Sequence, residues 1–364
     1  MGRTRFKKQY INSIDREKLL KILILIIPSL STQDFIPILS NFCFTNSIVY
    51  AFDGVQCAGI EYKSKDKFNI SGDFFIKLLQ SYNSKQLSID VSDSTVNITV
   101  GKSKLKLSCL SEKEFVFESP KLPGQSLFKV TKDFITGLSK CLISVNADQV
   151  KENQCGILLD LSGRNQYLYS THEECVSRYK LKRFIPKVRT KILLPKLFCE
   201  QLISLFREYN DGEFYFSVDF IWVDWKNAFL YSKVKTSISF PDFKSVIESS
   251  LKDRNYSMQE VPKNMVSVLE RSIMFSGDEL DKIITFEVNN KIIKCLTKSS
   301  HGNITDYVSF KDSLGEFTVR LDSYLLKDCI NSIVRIGFII GNDSIIILGE
   351  DDNYLLLLSS FVDS

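Results

Sequence analysis

Histidine is nearly missing from this chain. The 364 residues contain two, His172 and His301, and neither has a second good metal ligand beside it in the sequence. The 16 glycines form no phosphate-binding loop, and the sequence holds no HExxH and no GxSxG. The signatures of P-loop nucleotide hydrolases, zinc peptidases and serine hydrolases are therefore lacking. The adjacent acids Glu173–Glu174 and Asp351–Asp352 read as solvated turns rather than catalytic dyads. Long apolar runs are also scarce: the most apolar, Ile22 to Leu30, is too short to span a bilayer and contains Pro28. The basic start, Gly2-Arg3-Thr4-Arg5-Phe6-Lys7-Lys8, is followed by no apolar core with a small-residue cleavage site, so no signal peptide is expected. Nor does it carry the Ser or Thr of a myristoylation signal. With no chemical constellation in view, a binding or scaffold role is favoured over catalysis, and no cofactor is expected.

What is present is the composition of a soluble globular protein, 44% hydrophobic and 25% charged. The length suggests two or three domains. The nine cysteines are scattered without a CxxC pair, most of them inside apolar segments, as expected of buried thiols in a reducing cytoplasm. The net charge of +4 permits contact with a polyanion without requiring it.

The clearest signal is repetition. Residues Val130 to Val145 read as one amphipathic helix with Thr131 as N-cap. Phe134, Ile135, Leu138, Cys141, Leu142 and Val145 lie on its apolar face, and Lys132 and Lys140 on the other. Five more segments share the pattern, starting at Asp15, Ser71, Pro195, Pro262 and Asp322. In the second of these Phe74, Phe75, Leu78, Leu79 and Tyr82 are expected inward. Spacing near 60 residues is the mark of a repeated supersecondary unit. Between the helices the period changes to two, in blocks such as Leu87–Val91, Val96–Val100 and Leu105–Cys109. Similar blocks follow the later helices, including Ala228–Lys233, Ile283–Val288, Ile292–Thr297 and Tyr354–Leu358. Each unit is one helix plus roughly four strands. Two units make a domain of ordinary size, giving an α+β chain of three similar domains at 1–124, 125–245 and 246–364. Each domain has two helices packed on antiparallel sheets.

Short segments spread from about Tyr10 to Leu358 add a resemblance. They are Pro37-Ile38-Leu39-Ser40-Asn41, Ala51-Phe52-Asp53, Asn153-Gln154-Cys155-Gly156-Ile157-Leu158-Leu159, Phe240-Pro241-Asp242-Phe243 and Tyr354-Leu355-Leu356-Leu357-Leu358. In order and spacing they resemble segments of the beta sliding clamp of bacterial DNA polymerase III. The resemblance implies the DNA clamp fold, a homodimeric ring of six domains, duplex DNA in a helix-lined hole, and no enzymatic activity. It implies a processivity factor of the bacterial cytoplasm that tethers a replicative DNA polymerase and is opened by a clamp loader.

Lysines on exposed helix faces suit that role, because DNA carries about one charge per 1.7 Å of axis and such contacts read no sequence. The DNA-facing candidates are Lys18, Lys21, Lys77, Lys132, Lys140, Lys196, Arg207, Lys263, Arg271 and Lys327, with Lys151 added by its loop position in the family. By resemblance a partner-peptide pocket falls on Thr171, Val176, Pro241, Val246, Leu355, Leu356 and Leu357. In the dimer interface, Leu105 and Leu107 face Met274 and Phe275 of the second copy. The sequence departs from the family at Thr171-His172-Glu173-Glu174-Cys175-Val176 and at Leu357-Leu358-Ser359-Ser360, where pocket residues differ. A diverged clamp, such as one encoded by a phage with its own polymerase, fits that pattern. The segment Gln201-Leu202-Ile203-Ser204-Leu205-Phe206 mimics a clamp-binding peptide, but its apolar residues are expected to face inward. Two alternatives stand beside this reading. One is a monomeric clamp-like accessory subunit that grips DNA by charge; the other is a metal-dependent nucleic-acid enzyme.

Overall fold

A computed structural model describes residues 14–32, 36–92, 94–110, 117–145, 155–172, 175–182, 186–234, 241–252, 256–276, 282–300, 302–340, 344–351 and 353–361. Seven α-helices are formed among them: α1 (Arg16–Ile26), α2 (Gly72–Ser81), α3 (Lys132–Cys141), α4 (Lys196–Tyr209), α5 (Phe243–Leu251), α6 (Met265–Ser276) and α7 (Ser323–Ser332). Six lie where the repeat places them. The Asp15 and Asp322 carboxylates cap α1 and α7 by accepting from the amides of Lys18 and Leu325 at 3.0 and 2.8 Å. Three details differ from expectation. The third helix gives way to a 3-10 turn at Leu142–Ser144, short of Val145. Phe74 is 52% exposed rather than inward, since α2 seats itself on Phe75, Ile76 and Leu79. Asp351 is held in an ion pair rather than standing in a solvated turn.

By packing, the chain forms two compact units. The first comprises residues 1–131 and 200–234. It holds a four-stranded antiparallel sheet in the order Ile14–Asp15, Gln86–Ser92, Thr95–Val100, Ser103–Ser108. Its second sheet has eight strands: Phe68–Ser71, Asn41–Phe44, Ile48–Phe52, Gln56–Glu61, Ala228–Lys233, Phe220–Trp225, Glu213–Phe216 and Phe128–Lys129. Two blocks far apart in sequence join there, with Cys57 opposite Tyr231 and Ile60 opposite Ala228. One face of this sheet carries Phe52, Phe220, Trp222 and Tyr231, covered by Phe117 and Leu122 from the segment after the strand Ser103–Ser108. Buried Gln201 ties the interior of the unit together. Its side-chain oxygen accepts from Ser29 Oγ at 2.8 Å and Gln56 Nε2 at 2.5 Å, and its Nε2 donates to the Leu25 carbonyl at 3.0 Å. The peptide-like segment beginning there is thus interior, with Leu202 and Leu205 fully buried.

The second unit, residues 132–199 and 235–364, repeats the plan in reverse. Its eight-stranded sheet runs Lys191–Pro195, Gly156–Asp160, Tyr167–His172, Cys175–Lys180, Tyr354–Phe361, Ser344–Asp351, Arg335–Ile340, Gln259–Glu260. Its four-stranded sheet runs Gly302–Ser309, Ile292–Ser299, Ile283–Asn289, Glu316–Asp322. Helix α3 approaches the larger sheet very closely at Gly137. A Cβ there would lie 2.6 Å from Leu168 and Tyr179, so a residue that costs about 1 kcal/mol in a helix interior permits the contact.

Candidate nucleic-acid interface and docking surfaces

The basic residues singled out from the sequence fall into three groups. Lys18, Lys132, Arg207 and Lys263 are exposed and Lys196 is half-buried; none has an ion pair among the described residues. Lys21 reaches Glu208 at 2.5 Å and Lys77 reaches Asp73 at 2.6 Å, both from largely exposed side chains. Such surface pairs are worth about 0–1 kcal/mol, so a phosphate competes readily for these ammonium groups. Lys327 lies 3.2 Å from Glu270. Lys151 lies outside the described residues.

Two candidates are committed elsewhere. Lys140, expected on the wet side of α3, has an 18% exposed side chain. Its ammonium pairs with Asp351, donates to the Ser332 carbonyl at 2.9 Å and sits 5.0 Å from the centre of the Tyr354 ring. Burial pushes the Tyr354 phenol well above its usual range, so it stays protonated and donates to the Lys140 carbonyl at 3.1 Å. Helical spacing gave Lys140 its outward face, but the hairpin at Asp351 closes over that turn, and this contact has no local sequence signal. Arg271 grips Asp306 with both Nε and Nη2, each at 3.0 Å.

The residues expected to form a peptide pocket separate by strand register. Val176 lies opposite Leu357, Arg178 opposite Leu355, and Thr171 opposite Val176, which puts Thr171, Val176, Leu355 and Leu357 on one face of the second unit's large sheet. Leu356 points to the other side and is fully buried. On the shared face lies α5, a helix the sequence reading did not anticipate. Asp242 caps it, its carboxylate accepting from the Ser245 amide at 3.1 Å. Phe243, Ile247 and Leu251, spaced by four, turn to the sheet and pack with Leu158, Tyr169, Ile339, Leu348, Leu355 and Leu357. Phe243 stacks on Tyr169 with centroids 5.3 Å apart. The Tyr169 phenol is pushed up to about 12 by burial and is neutral throughout the physiological range. Pro241 is partly exposed and Val246 is 44% exposed, so apolar surface remains beside the cluster. The Asp cap and the i, i+4, i+8 apolar set were the available signals for this helix.

Among the described residues, the smaller sheets end in strands with an unpaired side: Ser103–Ser108 in the first unit, and Gly302–Ser309 and Glu316–Asp322 in the second. Leu105 and Leu107 are half-buried on the core side of theirs, opposite Ile98 and Val96. Met274 is 76% exposed on α6, and the neighbouring Phe275 ring packs over Gly302.

No family model matches the chain, and no curated protein matches it. Solved structures do. The DNA polymerase III beta chain of Streptococcus pneumoniae TIGR4 superposes with a TM-score of 0.80 at 15% identity, over 96% of this chain and 99% of the other. The beta subunit of Thermotoga maritima gives 0.79 at 14% identity, over 97% and 99%. The sliding clamp of Pseudomonas aeruginosa bound to griselimycin gives 0.78 at 16%, over 96% and 98%. This chain has the sliding-clamp fold.

Across the clamp fold the sequence retains little beyond pattern, which is why a match of structure over nearly the whole chain coexists with such low identity. The pocket and edge residues carry no comparable constraint from the fold alone.

Proposed function

We propose that the protein is a DNA sliding clamp: a processivity factor, without catalysis of its own, that encircles duplex DNA and tethers a DNA polymerase. The observation that carries this reading is the sheet inventory. Six strand blocks make two eight-stranded sheets and two four-stranded ones, and among the described residues Ser103–Ser108 and Gly302–Ser309 each end a smaller sheet with no strand on the outer side. Exposed edges invite pairing with another chain. Two copies related by a twofold axis would pair each Ser103–Ser108 edge with a Gly302–Ser309 edge, leaving neither of these two edges open. Pairing the first edge with itself is disfavoured, because Lys104 and Lys106 would then meet their own counterparts. Leu105 and Leu107 would meet Met274 and Phe275 of the second copy.

In this reading the three domains, 1–124, 125–245 and 246–364, contribute six helices per copy to the lining. Lys18, Lys21, Lys77, Lys132, Lys196, Arg207, Lys263 and Lys327 contact phosphates, a set that attracts DNA without fixing its register. Polymerase and clamp loader dock by short peptides beside α5, where Val176, Pro241 and Val246 leave apolar surface for aliphatic and aromatic anchors. The sliding clamp of Pseudomonas aeruginosa bound to griselimycin supports the view that this fold can hold a ligand. The work is done in the cytoplasm, where DNA is copied. Loaded onto nicked circular DNA, the protein is expected to stay bound through a high-salt wash and to be lost when the circle is linearised. Equal retention on circle and linear DNA overturns topological linkage.

A further inference from the structure

The residues around Arg271 are arranged along the Gly302–Ser309 edge of the second unit's smaller sheet, where the Arg271 side chain is 44% exposed. Three contacts fasten α6 and the residues leading into it to the strand Gly302–Ser309. Asn264 Nδ2 donates to the Tyr307 carbonyl at 3.2 Å, Arg271 holds both carboxylate oxygens of Asp306, and the Phe275 ring packs over Gly302. Gly302 has φ +130°, a conformation that side chains other than glycine's rarely adopt, so the strand begins with a turn built to pass under that ring.

Register shows what the pair accomplishes. Asp306 lies opposite Cys295, and Val308 opposite Ile293, both buried. Asp306 therefore belongs to the apolar, helix-facing side of the sheet, and it is the one acid on that strand. On the other free edge, Leu105 and Leu107 occupy the corresponding core side, opposite Ile98 and Val96. If a second copy adds the Ser103–Ser108 edge to this one with the two core sides continuous, leucines arrive against a carboxylate. An unpaired carboxylate would resist that desolvation strongly; one already held in a bidentate guanidinium fork does so far less.

We propose that Arg271 is a seam residue. By gripping Asp306 it neutralises the single carboxylate on the apolar side of the Gly302–Ser309 edge, which lets that edge accept Leu105 and Leu107 of a second copy. Arg271 is thereby a positioning residue of ring closure and not a phosphate contact. The assignment rests on the edge-to-edge dimer proposed above and goes beyond it, since a lysine-lined ring does not by itself require this pair.

Sedimentation velocity over a concentration series, with full-length protein, tests it. Arg271→Met is expected to raise the dimer dissociation constant by ~30-fold or more, the lower end for removing one partner of a desolvated charge pair. Arg271→Lys, which keeps the charge but loses the fork, is expected to fall between. The double variant Arg271→Met with Asp306→Leu removes the need for compensation and is expected to restore dimerisation to near the unmodified level. That rescue separates a seam role from general damage, because a misfolded single variant would not be repaired by deleting a second polar group. An Arg271→Met protein that dimerises normally and loses salt-sensitive DNA affinity overturns the proposal in favour of a phosphate contact. A double variant that stays as weak as the single one also overturns it. Unmodified protein that remains monomeric at every concentration fails earlier, at the ring itself, and is recognised as such before any variant is compared.

Discussion

Phe243→Ala is expected to cost the second unit about 3–5 kcal/mol, the usual range for deleting a buried aromatic ring. The ring is 5% exposed and stacks on Tyr169, while Ile247 and Leu251 continue the same helical stripe onto the sheet. A helix as short as α5 has little stability of its own in water, so its order depends on that stripe. Removing its largest anchor should loosen the whole helix and uncover Tyr169, Leu355 and Leu357 together. Urea unfolding should show a lowered midpoint, and the variant should bind an apolar dye that the unmodified protein excludes. Val246→Ala, at an exposed position of the same helix, should change stability by less than about 0.5 kcal/mol. A loss below about 1 kcal/mol for Phe243→Ala would mean that α5 is not held by this face. The two variants also separate roles. Val246→Ala should weaken binding of a clamp-directed peptide while leaving the fold intact.

Lys140→Ala should be the most damaging of the lysine substitutions, by about 2–4 kcal/mol, while altering DNA binding least. Truncation removes the ammonium that pairs with Asp351 and donates to the Ser332 carbonyl, in a place where both are partly removed from water. It also takes a cation from above the Tyr354 ring, an interaction that grows with desolvation. Lys132→Ala on the same helix should do the opposite. Its stability should hardly move, and the slope of log affinity against log salt should shrink by about one phosphate's worth. Denaturant midpoints and salt titrations on short duplex DNA give both readouts. If Lys140→Ala reduced the salt slope and left the midpoint alone, its ammonium would have to be facing solvent.

The difference between these two lysines shows where the sequence was readable. Both sit on the polar side of α3 by periodicity, and periodicity is local. It placed six helices and most of the strands after them, because caps, apolar spacing and alternation are written within a dozen residues. Which solvent-facing lysine is later covered depends on the Asp351 hairpin, some two hundred residues away, and no local pattern records that. The same holds for Leu356. Alternation along Tyr354–Leu358 implies two faces, but only pairing with Cys175–Lys180 says which face α5 will cover. Helix α5 was legible in principle from Asp242 and the fourfold spacing of Phe243, Ile247 and Leu251. It lies between two of the repeats, where the spacing near 60 residues calls for no helix. Phe74 failed for another reason: the apolar run Phe74-Phe75-Ile76 is wider than the face that α2 turns to the core, and the sequence does not say which of the three is left outside.

The cover that Phe117 and Leu122 provide for Phe52, Phe220, Trp222 and Tyr231 has a consequence for how this chain could ever have been built from pieces. The unit that repeats in sequence and the unit that packs as one body are not the same. A fragment ending at residue 124 would keep Phe117 but lose the strands 213–233 on which it rests, and would leave Gln56–Glu61 as a raw sheet border. Such a fragment should precipitate or associate instead of giving a sharp unfolding transition, which light scattering and denaturant titration would show. Duplication can multiply the helix-and-strand motif, but the blocks 41–61 and 335–361 each complete a sheet with strands from a distant part of the chain, so neither is inherited or lost on its own without breaking a sheet.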